Sequence, residues 1–211
     1  MKLYTYFRSS AAFRVRIALN LKGVSYDAAF VHLAKGEHRQ PQYAGMYPQA
    51  LLPTLVDDGK ALSQSLAIIE YLEETHPNPA LLPKDAFGRA RVRSLSLLVA
   101  CEIHPLNNLR TLQYLKRHLG QNEEQINTWY RHWVADGLAK LEADLAKGDT
   151  GKFCHGDSPT MADCCLVPQI FNAKRYNSDL APYPTVVRVF DACMKLDAFD
   201  RAQPSKQPDA E

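Results

Sequence analysis

The chain has almost no excess of positive over negative side chains. Lys and Arg number 25 against 23 Asp and Glu, a formal net charge of +2. No basic run stands out either, which argues against nucleic-acid binding through bulk electrostatics. No apolar stretch approaches the roughly 20 residues needed to span a bilayer. The first residues enter a strand pattern directly, with no basic segment followed by an apolar one, so no signal peptide is expected. The five cysteines, Cys101, Cys154, Cys164, Cys165 and Cys193, show neither CxxC nor metal-ligand spacing. No metal is expected, and the cysteines read as buried thiols of a cytoplasmic protein in a reducing compartment. Internal repeats and low-complexity runs are absent. What remains is ordinary: 46% apolar and 23% charged residues in 211, enough for one large domain or two small ones with a real core.

The most informative stretch runs from Tyr4 to Gly23, YTYFRSSAAFRVRIALNLKG. Leu3, Tyr4, Tyr6 and Phe7 read as a short strand. Ala12, Val15, Ala18, Leu19 and Leu21 then fall at helical spacing, and Gly23 stands where a helix stops. Arg8, Ser9 and Ser10 occupy the junction. A helix start offers backbone N–H groups and a partial positive charge, so two hydroxyls and an arginine there suit a thiolate or carboxylate. A serine in that place can equally be a simple helix cap. Arg14 and Arg16, farther along, read as surface or interface charges.

Farther on, Tyr26–Leu33 is a second strand candidate, and 34–48 a loop with one short helix. Leu51 to Leu62 reads as a hairpin turning at Asp58-Gly59. Pro53 heads its first strand, a corner where a cis bond is worth expecting. A helix from Ser65 to Glu74 ends at His76-Pro77-Asn78-Pro79. Beyond the Pro77–Pro83 linker the pattern becomes all-helical. One long helical stretch covers Asp85–Leu119, interrupted at His104-Pro105. Another covers Asn122–Ala146, with Trp129 and Trp133 facing inward. Thr160 and Asp163 form a capping box, which makes Asp163 structural. The last helix starts near Pro184, and the polar tail Gln203–Glu211 is expected to fray.

Several runs resemble the zeta class of cytosolic glutathione transferases, the class of the maleylacetoacetate and maleylpyruvate isomerases. They are Tyr6-Phe7-Arg8-Ser9-Ser10 followed by Phe13-Arg14-Val15-Arg16-Ile17-Ala18-Leu19, Leu52-Pro53-Thr54-Leu55, Gln64 to Glu74, Ile103 to Leu109, Met161-Ala162-Asp163 and Gln207-Pro208-Asp209. The resemblance covers essentially the whole chain. It implies a thioredoxin-like α/β glutathione-binding domain over 1–80, an all-α helical-bundle domain over 86–211, glutathione as cofactor and a homodimer. Four positions depart from the family pattern. Ala11 and Ala12 stand where the serine motif usually continues Cys-Ser, which argues against cysteine-dependent dehalogenation. Tyr47 replaces a frequent Asn, and His104 a frequent Gln.

The chemistry so implied is cis–trans isomerisation of a maleyl keto-acid. A thiolate adds to the double bond, the resulting single bond rotates, and elimination gives the trans product. A free thiol has a pKa of about 8.5, so it needs help to ionise at neutral pH. Ser9, then Ser10, are the expected thiolate partners, with the Ala11 N–H assisting and Arg8 beside them. Gln64 and Ser65 would seat the γ-glutamyl carboxylate, although Ser65 alone could be a cap. Leu52 and Pro53 would hold the cysteinyl segment through the backbone, leaving the Leu52 side chain irrelevant. His38, His104 and Asn108 are further glutathione candidates, and His38 could equally be a solvated loop residue. Arg8, Arg110 and Arg175 would grip the substrate carboxylates in bidentate fashion, with Arg110 favouring a compact diacid such as maleylpyruvate; Arg110 could also be a solvated helix charge. Two other functions stay open: a transferase acting on α-haloacids, and a non-catalytic glutathione-binding protein of the same fold.

Overall fold

The computed structural model describes residues 1–211. Alternation at its start gives strand β1 (Lys2–Thr5), with Leu3 and Thr5 buried and Lys2 outside. β1 lies parallel to β2 (Asp27–Phe30) and antiparallel to β3 (Thr54–Asp57), which hairpins into β4 (Lys60–Ser63), giving the order β2-β1-β3-β4. Leu3 opposes Leu55, and both are almost wholly buried, each worth roughly 1.5–3 kcal/mol by area. Asp58 and Gly59 take φ of 46° and 74°, the paired left-handed geometry that a two-residue hairpin turn needs. The Leu52–Pro53 bond is cis. The expected loop over 34–48 holds a 3₁₀ turn (Glu37–Arg39) and helix α2 (Pro41–Ala44).

Helix α1 (Ser10–Lys22) ends in Gly23 at φ 64°. It packs on α3 (Ser65–Thr75) and on α10 (Asp197–Asp200), so its arginines are not surface charges: Arg14 is 3% and Arg16 1% exposed. With neighbours on more than one side, α1 has no face for them to reach water. Arg16 is satisfied by oxygens instead. It donates to the Tyr6, Phe7 and Ala202 carbonyls and to Thr5 Oγ1 at 3.0–3.3 Å. Burial lowers its pKa to about 10, so it remains a cation at neutral pH. At the other end of α1, buried Lys22 donates to Glu73 Oε2 (2.8 Å) and to the carbonyls of His76 and Pro79. Glu73 also accepts the Leu81 N–H. This latch fixes the chain as it leaves α3.

By its contacts the chain divides into Met1–Leu81 with Met194–Glu211, and Leu82–Cys193. The boundary near residue 80 lies where the strand pattern stops, but the last residues return to the first unit. The expected fraying of Gln203–Glu211 is therefore corrected. Asp209 Oδ2 accepts the Phe7 N–H at 2.9 Å, Lys206 pairs with Asp200, and Glu211 meets His32 and Lys35 at 3.0 and 3.2 Å. Polar composition suggested a loose end, whereas each of these groups has a partner in the folded unit.

The second unit is built from α4 (Ala86–Leu97), a π-helical stretch (Leu98–Ile103), α5 (His104–Asn107), α6 (Leu109–Arg117), α7 (Glu123–Leu145), α8 (Met161–Arg175) and α9 (Pro184–Met194). The expected interruption at His104-Pro105 takes another form. The helix widens just before Pro105, so that the His104 N–H reaches the Val99 carbonyl, and the chain breaks at Asn108 (φ −77°, ψ 162°). In α7, Tyr130 and Val134 are buried, whereas Trp129 and Trp133, expected inside, are only half-buried; Trp129 Nε1 donates to the Leu106 carbonyl at 2.8 Å. Both capping boxes form, Asn122 with Gln125 and Thr160 with Asp163. Asp163 also accepts the Cys154 N–H at 2.9 Å and is fully buried, which bears out its structural role. Four cysteines are buried, but Cys101 is exposed, because it lies on the outer side of the widened stretch. No helix is long and apolar enough to cross a membrane.

Candidate functional site

The strand–helix junction in the first unit is made by Ser9. Its backbone is extended (φ −69°, ψ 113°), and its Oγ accepts the Ala12 N–H at 3.2 Å. Ser9 is thus the N-cap of α1. A hydroxyl that accepts one hydrogen bond keeps its own O–H to donate, so capping and anion binding are compatible here. Ser10 and Ala11 form the first helical turn, where backbone N–H groups lack intrahelical acceptors. Exposed Arg8 lays its guanidinium over the Phe7 ring, 4.9 Å from the centroid.

A second helix start holds Gln64 and Ser65. Gln64 is a non-glycine residue at φ 68°, ψ 114°, a conformation that costs about 1–3 kcal/mol and collects at functional sites. Its exposed amide donates to Gln49 Oε1 at 3.1 Å. Ser65 is 6% exposed, and its Oγ accepts from Arg14 Nη1 at 3.3 Å. Arg14, read from the sequence as a surface or interface charge, therefore braces this corner from α1. A signal was present: two arginines among the closely spaced apolar residues Phe13, Val15, Ile17 and Leu19 leave no polar face to put them on. Gln49 was missed as well; it carries no pattern of its own.

Leu52 and Pro53 lie just ahead of β3. The Leu52 side chain, expected to be irrelevant, is 8% exposed and packs with Tyr6, Phe7, Val31 and Tyr43. The correction follows from Tyr43, which folds over this corner. Its hydroxyl meets the Leu51 carbonyl and Thr54 Oγ1, and burial raises its pKa to about 12. His38 sits in the 3₁₀ turn with Nδ1 enclosed and without a hydrogen-bond partner; burial, then Arg39, lower its pKa, so the ring is neutral at pH 7. It is not simply solvated. An orphaned nitrogen, a spare Ser9 O–H and a strained Gln64 are features that a polar tripeptide with a thiol and two carboxylates would complete.

In the second unit, His104 opens α5. Asn108 caps α6, its Oδ1 accepting the Thr111 N–H at 3.2 Å and leaving its amide N–H groups to donate. Arg110 follows in the first turn of α6 and is exposed. Arg175 is the last residue of α8, also exposed, with its guanidinium 5.0 Å from the Tyr176 ring centroid. Tyr176 in turn stacks on Tyr130 at an interplanar angle of 10°. The anchored face of that stack sets where Arg175 can reach.

Residues 3–80 match the family model for the glutathione S-transferase N-terminal domain, and residues 110–192 that for its C-terminal domain. The maleylpyruvate isomerase of Ralstonia sp is 50% identical over the full length of both chains. The maleylacetoacetate isomerase of Pseudomonas aeruginosa is 50% identical, covering 99% of this chain and 98% of its own. Among solved structures, a holo maleylpyruvate isomerase described as a bacterial zeta-class glutathione transferase superposes with a TM-score of 0.98, at 50% identity and full coverage of both chains. The maleylacetoacetate isomerase of Anaeromyxobacter dehalogenans, with dicarboxyethyl glutathione and citrate in its active site, superposes with a TM-score of 0.88 at 46% identity, covering 100% of this chain and 93% of that one.

Proposed function

Because the chain belongs to the glutathione S-transferase family, we propose that it is a glutathione-dependent cis–trans isomerase of a maleyl keto-acid, maleylpyruvate or maleylacetoacetate. The observation that carries this reading is the Ser9 cap, a hydroxyl that holds the start of α1 and keeps one proton to donate. Glutathione, when bound, would supply the nucleophile: its thiolate would add to one carbon of the cis double bond, allow rotation about the resulting single bond, and be expelled and regenerated as the trans double bond forms. The dicarboxyethyl thioether of glutathione in the Anaeromyxobacter relative has the bonding that such an addition gives.

The residues of this chain then have separate tasks. Ser9 donates to the sulfur, with Ser10 second and the Ala11 N–H assisting, and the helix start favours the negative charge. Ser65 and the first turn of α3 hold the γ-glutamyl carboxylate, with Arg14 bracing the serine. Gln64 and the Leu52–Pro53 backbone align the peptide, and the neutral His38 ring gives it a hydrogen bond. His104 and Asn108 add polar contacts. Arg8, Arg110 and Arg175 hold the carboxylates and keto oxygen of the substrate by charge-assisted hydrogen bonds. The chain acts as a homodimer in the cytoplasm. Exposed Phe87 and Leu97 supply apolar surface for an interface, and five free thiols suit a reducing compartment.

Arg110 makes maleylpyruvate the preferred substrate, since a third cation suits a compact diacid. Arg110→Ser assayed on both acids should lower kcat/KM for maleylpyruvate by about tenfold, the scale of one charge-assisted hydrogen bond, and that for maleylacetoacetate by less. An equal loss, or none, contradicts the preference.

A further inference from the structure

We propose, building on the function above, that residues 202–209 form a strap that positions the Phe7–Ser9 turn, with Asp209 and Arg16 as positioning residues for the isomerisation. Phe7 is where the forces meet. Its N–H donates to Asp209 Oδ2 at 2.9 Å, and its carbonyl accepts from Arg16 Nη2 at 3.1 Å. Its ring lies under the Arg8 guanidinium and edge-on to Tyr6, with centroids 4.8 Å apart. The turn closes one step later, where the Ser9 N–H donates to the Tyr6 carbonyl at 3.0 Å. Arg16 holds that same Tyr6 carbonyl from below at 3.3 Å. The carbonyls on either side of the turn, the ring that carries Arg8 and the backbone that presents Ser9 are therefore all fixed through two side chains.

The strap reaches this turn from the far end of the sequence. Arg16 donates to the Ala202 carbonyl through both Nε (3.2 Å) and Nη2 (3.1 Å), so one guanidinium joins the turn to the start of the strap. Asp209 joins it at the other end. The charged and titratable groups facing this region include Arg16, which interacts with Asp209 and with the Tyr26 phenol, and Arg201, which also acts on Tyr26. The strap is not built for stability alone. Asp209 Oδ1 is enclosed without a hydrogen-bond partner, and such a group costs free energy that a neutral or exposed residue would avoid. The arrangement instead fixes a short turn whose next two residues do the chemistry, and small misplacements of catalytic groups have large effects on rate.

The test uses the full chain with Asp209→Asn, which keeps the shape and removes the charge, alongside Asp209→Glu, Glu211→Gln and Ser9→Ala. In Asp209→Asn, amide exchange at Phe7 and Ser9 should quicken, kcat should fall about tenfold to a hundredfold, the range for displaced catalytic groups, and the thiol pKa of bound glutathione should rise. KM for glutathione should change by less than about threefold, because the Ser65 corner is untouched. Asp209→Glu should restore part of kcat. Glu211→Gln, which loses only the outer contacts to His32 and Lys35, should behave as wild type. Unaltered kcat and thiol pKa in Asp209→Asn, with Ser9→Ala raising that pKa, overturn the strap alone. An unaltered thiol pKa in Ser9→Ala overturns the role of Ser9 and the strap with it.

Discussion

A serine hydroxyl can serve two partners at once, and Ser9 shows why the choice between helix cap and anion ligand was never exclusive. Its oxygen accepts the Ala12 N–H, and its proton remains to donate, under the proposed function to a sulfur. Ser9 and Ser65 were legible in the sequence because helix starts are local features. The brace on Ser65 was not, since Arg14 lies 51 residues away in the chain and a pattern of apolar residues does not say which polar atom a buried arginine will find. The same holds for Leu52, whose burial depends on Tyr43 and Phe7. Arg14→Met should raise KM for glutathione about tenfold, the loss of one hydrogen bond to a charged group, with kcat changed much less because the sulfur end is untouched. Steady-state kinetics with glutathione varied decides it; a fall in kcat at constant KM contradicts the brace.

Elements defined by neighbouring residues were read correctly: the Asp58-Gly59 hairpin, the Gly23 stop and the Thr160–Asp163 capping box. The widened turn before Pro105 was not, since a π-helical stretch depends on what packs against it. Its neighbour is α7, where a Cβ on Gly137 would stand 2.3 Å from Ile103 Cγ1. Gly137→Ala should therefore destabilise the chain by about 1–2 kcal/mol, as overpacking outweighs the better helix propensity of alanine; a gain of stability in urea unfolding contradicts that contact. In the first unit, Tyr43 clamps the Leu51–Thr54 corner as a neutral phenol. Its pKa is raised from about 10 in the unfolded chain to about 12 by burial. The contribution is therefore complete below pH 10 and is lost as pH rises through about 12. Wild type should lose more stability across that window than Tyr43→Phe, measured by denaturant unfolding at each pH; parallel profiles contradict the clamp.

At the scale of the whole molecule, the sequence showed two kinds of pattern in order, and the fold has a sheet-bearing unit and a helical one. What it hid was the return of Met194–Glu211 to the first unit. Composition marks a polar tail but not the partners waiting for it, here Phe7, Arg16, His32 and Lys35. The arginines expected to hold the substrate were visible as residue types, and their setting was not: Arg8 depends on the Phe7 ring and Arg175 on the Tyr176–Tyr130 stack. On the proposed function, all of this serves one event, ionisation of a bound thiol at the start of α1. The direct measurement is a pH titration of the glutathione thiolate absorbance on the wild-type chain and on Ser9→Ala. Wild type should ionise the thiol well below its free pKa of about 8.5, and Ser9→Ala should move it back towards that value. A wild-type pKa equal to that of free glutathione, or one that Ser9→Ala leaves in place, contradicts the account.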